Sequence, residues 1–218
     1  MTSLWAREFT SFPEGGHADE MIEKLAAELS RRGKKVFINA LGGSTPVRCL
    51  GYVACAFEIA EQSNSSISLS TRLSFQMEAA ARMQVLLRGM VIKGYDPMTI
   101  RAHTVATAQV SAIGATAGKV NDGLNLLGTE TMIGPEVLNI SDEELGGGYG
   151  IPTSSMANAV RLMARSEGLL LDPVYSGKKA FAGLIADINA ERIAAGSDIL
   201  FIMTGGSPGL YACPSAFA

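Results

Sequence analysis

Apolar residues recur at three- and four-residue spacing over residues 17–32, where Met21, Ile22, Leu25, Ala26 and Leu29 oppose Glu20, Glu23 and Lys24. That is the period of an amphipathic helix. Arg31 and Arg32 suit the negative end of its dipole, and Gly33 supplies a left-handed stop. Residues 35–40 then read as a short buried strand. Thr45 as N-cap and Pro46 in the first turn open a second helix running to about Gln62. Residues 67–88 pass for an amphipathic helix on pattern alone. The spacing predicts a strand over 98–105, a long Ala-rich helix over 106–127 and a short strand over 136–140. A loop follows at Gly146–Gly150. Residues 154–167 form an amphipathic helix through Met156, Val160, Leu162 and Met163, and residues 178–190 another. Residues 198–203 are the cleanest buried strand and run into Thr204, Gly205 and Gly206. Helices alternating with short apolar strands predict an α/β domain with a mostly parallel sheet flanked by helices.

Composition narrows this picture. Of 218 residues, 47% are hydrophobic and 18% charged, a globular balance. Lys plus Arg is 18 against 21 for Asp plus Glu, a net charge of −3 with no dense basic run, which argues against a nucleic-acid partner. No stretch approaches the roughly 18 apolar residues of a membrane span. The first residues have no apolar core of the signal-peptide kind, so a cytoplasmic protein is expected. Three cysteines, Cys49, Cys55 and Cys213, are too few and too irregular for a disulfide framework or a zinc site. Glycine, at 24 residues, exceeds what turns need and suggests backbone approaching a ligand.

The candidate chemistry sits in loops. Gly42, Gly43, Ser44 and Thr45 lie between a strand and a helix start, where backbone N–H groups can hold an anion or merely turn the chain. Thr204, Gly205 and Gly206 follow a strand end, the edge where α/β sheets bind ligands. Neither matches a nucleotide-binding pattern. Tyr175 stands in a turn bounded by Pro173 and Gly177, either as an acid–base phenol or as a turn anchor. Lys178 and Lys179 are candidate imine-forming amines, or solvated lysines on the first turn of a helix. His17 and His103 have no nucleophile at a telling spacing and read as structural or surface residues.

Several segments together carry a resemblance. Gly42–Pro46 followed by Leu50–Val53 (GGSTP, LGYV) is similar to a GGSNP…LGYV segment, and Gly148–Pro152 to a GYG-P loop. Residues 167–178, EGLLLDPVYSGK, with Ala182–Ile185, are the most specific match, and residues 200–211 match a terminal strand and loop. The chain thereby resembles the pyridoxal-phosphate enzymes that include D-cysteine desulfhydrase and 1-aminocyclopropane-1-carboxylate (ACC) deaminase. The resemblance implies a tryptophan-synthase-β-like large domain, pyridoxal 5'-phosphate as cofactor, a small amino-acid substrate and a homodimer in the complete protein. It implies that Tyr149 and Tyr175 are active-site tyrosines, with Ser176 and Thr204 near the pyridine nitrogen and Gly42, Gly43, Ser44, Gly205 and Gly206 also lining the cofactor. The deaminase branch is similar to Glu and Leu at the positions of Ser176 and Thr204. Two hydroxyls resemble the desulfhydrase branch and suit β-elimination of a good leaving group. The implied reaction converts D-cysteine to pyruvate, hydrogen sulfide and ammonia. An L-cysteate sulfo-lyase or an ACC deaminase is the alternative within the family, and a non-catalytic binding or interaction module is the alternative outside it.

Two departures from the family pattern set further expectations. The Schiff-base lysine of a GGNKxRK-like segment and the serine of a QSNH-like segment do not occur in these residues. The chain is therefore expected to be an incomplete lyase domain with its N-terminal part missing, inactive by itself. The phosphate loop, similar to SGSGGTHAGL, should fall between Gln62 and Met90, where residues 67–88 read ISLSTRLSFQMEAAARMQVLLR. Back-translated and read from the third base of each codon, residues 77–88 force Gly at Met77–Glu78 and Ala at Met83–Gln84, and permit GSGGTHAGLAA. Residues 67–88 are thus expected to be a frameshifted segment, with misfolding or aggregation as the consequence.

Overall fold

The computed structural model describes residues 18–38, 46–66, 74–79, 81–104 and 108–217. The chain forms two compact units, Met1–Thr45 and Pro46–Ala218. In the first, α1 (Ala18–Arg31) half-buries Met21, Ile22, Leu25, Ala26 and Leu29 and exposes Glu20, Glu23 and Lys24. It ends in a Schellman motif, with Lys34 N–H donating to Leu29 O at 3.0 Å and Gly33 N–H to Ser30 O at 2.9 Å. The strand expected over 35–40 does not form: Lys35–Ile38 is irregular and Phe37 is 78% exposed. Asn39 and Ala40 lie outside the described residues.

The second unit contains α2 (Pro46–Ser66), β1 (Ser74–Ala79), α3 (Ala81–Ile92), β2 (Ile100–Thr104), α4 (Gln109–Leu126), β3 (Asn139–Ser141), α5 (Ser154–Glu167), α6 (Ala182–Asn189) and β4 (Ile199–Phe201). Among the described residues four strands form one sheet in the order β3-β2-β1-β4, and every pairing is parallel. Ala102 stands between Met77 and Ile140 in register. All carboxyl ends therefore share one edge. The chain order turns back at β1, which has β2 on one side and β4 on the other. In open parallel sheets that switch point opens a ligand crevice.

β2 shows how the sheet becomes the middle of three layers. Ile100 and Ala102 join Leu86, Leu87, Met90, Val120, Leu124 and Ile140 in a core against α2, α3 and α4. Arg101 and His103, one residue out of phase, point the other way and meet α6. On that second face Met156, Val160, Met163 and Leu171 gather Phe181, Phe201 and Leu210 into a smaller core.

Four expectations are corrected. Residues 67–88 are not one helix: Ser74–Ala79 is a central strand, and α3 begins at Ala81. Parallel pairing on both sides overrides a pattern that reads as helical. The strand over 136–140 starts later, because Pro135–Val137 forms a single helical turn before β3. β4 covers only Ile199–Phe201 and is half-buried, and among the described residues it has a strand neighbour on one side only. The helix over 178–190 is preceded and partly replaced by a widened, π-type turn over Ser176–Phe181.

Among the described residues no helix is long and apolar enough to cross a membrane, and no cluster of His, Cys, Asp and Glu has the arrangement of a metal site.

Candidate active site

Three loops meet beyond the carboxyl edge of the sheet. Gly146–Ile151 follows β3, Thr204–Gly209 follows β4, and Leu169–Gly177 joins α5 to the π-type turn. Asp172 organises the last of these. Its carboxylate is 2% exposed and accepts N–H bonds from Val174 (2.8 Å), Tyr175 (2.7 Å) and Ser176 (2.7 Å), and the Ser176 hydroxyl at 2.6 Å. Pro173 has no N–H, so the chain can turn tightly without leaving a donor stranded. Ser176 Oγ in return accepts from Asp172 N–H at 3.0 Å. The result is a capped turn that fixes Tyr175 and Ser176 relative to the sheet.

The β4 loop docks on this turn. Gly206 has φ +96°, and a Cβ there would come to 3.0 Å from the Asp172 side chain. Only glycine fits both the angle and the approach. Ser207 Oγ donates to Leu170 O at 2.7 Å and ties the same two loops together. At Gly205 the space a Cβ would take is open. Thr204 is half-buried beside it.

Tyr149, 55% exposed, meets Tyr175 from the first loop. Their rings pack edge to face, with centroids 5.9 Å apart and planes at 65°, and their hydroxyls share a hydrogen bond. One phenol is thereby the donor and the other the acceptor, an arrangement that can hold or pass a proton at one oxygen.

Lys178 and Lys179 correct the expectation of solvated lysines. Both are buried, at 0% and 1% exposure. In the π-type turn Ala180 N–H reaches Tyr175 O, five residues back, at 3.1 Å, and both side chains run into the protein rather than to solvent. Lys178 Nζ donates to Gly148 O (2.9 Å) and Ile151 O (2.5 Å), and Lys179 Nζ to Glu144 O (2.6 Å). Burial pulls both amines below the usual lysine range, Lys179 to about 8 with Lys178 adding to the effect.

A second polar cluster lies on the same face of the sheet. Asp187, 1% exposed, takes a two-pronged bond from Arg101 (2.9 Å twice) and one from Arg192 (2.8 Å), with His103 Nε2 at 3.6 Å. Burial holds His103 at about 4, so it is neutral at pH 7. Paired with cations on several sides, this cluster staples α6 to β2 and offers no open reactive group.

Sequence reasoning named Tyr149, Tyr175, Ser176, Thr204, Gly205 and Gly206, and the structure gathers all six on these three loops. It missed Asp172, whose signal was an Asp-Pro pair with Ser four residues on, a side-chain-capped turn. Gly42, Gly43, Ser44 and His17 lie outside the described residues.

A family model for pyridoxal-phosphate dependent enzymes matches residues 4–205. The chain belongs to that family. The crystal structure of an ACC deaminase homologue superposes with a TM-score of 0.77 at 27% identity, over 94% of this chain and 61% of that one. The chain thus spans 61% of the length of that relative. Pyridoxal phosphate is accordingly the cofactor of this fold, which in bound form supplies an electron sink for charge at the substrate Cα. The residues present fit such a group: two phenols converge at the carboxyl edge, and at Gly205 no atom lies within 4 Å of where a Cβ would stand. Tyr149, Tyr175, Thr204, Gly205 and Gly206 would hold it. Ser176 is 2% exposed and engages its hydroxyl with Asp172, donating to the carboxylate and accepting from the N–H, and it carries no carboxylate charge.

Proposed function

We propose that this site belongs to a carbon–sulfur lyase of the D-cysteine desulfhydrase kind, converting D-cysteine to pyruvate, hydrogen sulfide and ammonia. What supports the reading is the phenol pair Tyr149–Tyr175 together with hydroxyl residues, Ser176 and Thr204, at the two positions where the resemblance implies Glu and Leu in a deaminase. Without a carboxylate at the ring nitrogen the electron sink is weaker, and expulsion of a good leaving group such as thiolate is favoured over opening a cyclopropane. The phenols supply proton transfer and orientation. We further propose that residues 67–88 are a frameshifted segment and that the 218 residues alone turn over poorly, because both buried lysines are committed to backbone carbonyls.

The specificity is tested on a form of the protein that also carries a GGNK-like lysine segment. D-Cysteine should release hydrogen sulfide and pyruvate at least about tenfold faster than L-cysteate releases sulfite or ACC yields ammonia, a difference of about 1.4 kcal/mol in transition-state binding. Faster turnover of ACC or of L-cysteate overturns the assignment. The 218 residues, given pyridoxal phosphate and dialysed, should stay colourless. A yellow dialysed protein that loses its colour in Lys178→Met or Lys179→Met shows that one of these lysines does bond the cofactor. Those committed lysines also favour a second reading, a module that binds ligand without turnover, and it takes first place if the longer form is inactive towards all three substrates.

A further inference from the structure

We propose that Lys178 is a positioning residue for Tyr149: its buried ammonium clamps the Gly146–Ile151 loop so that the Tyr149 phenol meets Tyr175. That this pair acts on substrate rests on the function proposed above; the clamp itself does not.

The loop has little to hold it otherwise. Gly146, Gly148 and Gly150 all have positive φ, at +57°, +137° and +72°. Its own backbone bonds are long, 3.4 Å from Gly148 N–H to Leu145 O and 3.4 Å from Ile151 N–H to Gly148 O. Lys178 Nζ instead makes two short bonds to carbonyls that bracket Tyr149, Gly148 O at 2.9 Å and Ile151 O at 2.5 Å. Bonds from a charged donor are about twice as strong as neutral ones. Gly146 is held to glycine by its φ and by Thr153, whose Cγ2 a Cβ there would meet at 2.7 Å, and the Lys178 amine lies beside it in ordinary contact, 3.6 Å from that position.

The π-type turn makes the clamp a second grip. Tyr175 stands at its entrance and Lys178 three residues further, so one rigid turn holds the loop at both a phenol and two carbonyls. Two points fix the rotation of Tyr149, where the phenol bond alone leaves the loop free to pivot. Widened turns of this type recur at functional sites. Lys179 grips Glu144 O, upstream of the loop, and is the natural control.

The test needs neither cofactor nor turnover. Brief oxidation with a photoactivated ruthenium complex couples neighbouring phenols, and mass spectrometry of the digest reads the Tyr149–Tyr175 dityrosine peptide, with Tyr149→Phe as blank. Lys178→Met should lower its yield about tenfold, Lys178→Arg should retain most of it, and Lys179→Met should stay within about twofold of the parent. Amide hydrogen exchange at residues 147–151 should rise in Lys178→Met alone. Unchanged crosslinking in Lys178→Met overturns the proposal. So does an equal loss in Lys179→Met, or a Lys178→Met protein that fails to fold, since the lysine would then support the whole domain. A Lys178-dependent crosslink in a protein that never releases hydrogen sulfide from D-cysteine leaves the clamp standing and removes the lyase.

Discussion

Two aspartates, Asp172 and Asp187, are buried to the same degree and are neutralised in opposite ways. Asp187 meets full charges, the guanidinium groups of Arg101 and Arg192. Among the described residues Asp172 meets only dipoles, three backbone N–H groups and one hydroxyl within 2.8 Å. Cations on long side chains can come from distant elements, so Asp187 joins a strand, a helix and the chain after it. Backbone dipoles are available only nearby, so Asp172 shapes five consecutive residues. The first device sets how elements pack. The second sets where Tyr175 and Ser176 stand, and it lies at the candidate site.

Removing the charge at Asp187 should have the largest effect on stability. Asp187→Asn leaves the largely buried Arg101 without its counter-charge, while the half-exposed Arg192 can turn to solvent and keeps Glu143, and removing one partner of a buried pair costs about 3–5 kcal/mol. Denaturant titration should show this, while Tyr149–Tyr175 crosslinking in the folded fraction stays at the parent level. An equal loss of both would erase the distinction between the two aspartates.

The same cluster predicts an acid limb. His103 is held at about 4 against an ordinary value of 6.5, because burial, Arg101, Arg192 and Lys179 disfavour the imidazolium more than Asp187 favours it. Between those values the unfolded chain binds a proton that the folded one does not. Stability from this group is therefore complete above pH 6.5 and falls as pH drops to 4, by up to about 3 kcal/mol. His103→Gln should flatten that limb relative to the parent.

Asp172 comes next. Asp172→Ala strands three N–H groups and the Ser176 hydroxyl, and we expect about 1–3 kcal/mol of destabilisation, less than at Asp187 because the loop can open to water. Its signature differs in kind. Hydrogen exchange at residues 174–177 should rise and the Tyr149–Tyr175 crosslink should fall, with β2 and α6 unaffected.

Much of this was legible in the sequence, and the exceptions share a cause. The period of α1 and α5, the α/β alternation and the loop positions of Tyr149, Tyr175 and Thr204–Gly206 could be read because each depends on local pattern or on a distinctive motif. β1 could not, since its strand conformation comes from pairing with β2 and β4 on either side. Lys178 and Lys179 were misread because a lysine pair after glycine is ordinarily solvated. Their burial follows from the widened turn and from carbonyls about thirty residues away in the chain. Asp187 gave a faint signal, three residues after the buried Leu184 and so on the inward face of α6.

The smallest expected effect tests the mirror image of Asp172. Lys179 is a buried cation held by a carbonyl dipole, as Asp172 is a buried anion held by N–H dipoles. Burial and the adjacent Lys178 bring its amine to about 8 from an ordinary 10.5, with Glu144 and Asp142 pulling the other way. Below pH 8 both folded and unfolded chains carry the proton, and the folded state bears the full penalty of the buried charge. Between pH 8 and 10.5 the unfolded chain retains a proton that the folded one has released. Stability from this group therefore rises with pH through that window. The difference between the parent and Lys179→Met in denaturant midpoint should narrow or invert across it. A flat difference would mean that the carbonyl of Glu144 and its neighbours solvate the ammonium as well as water does, and the likeness to Asp172 would then be complete.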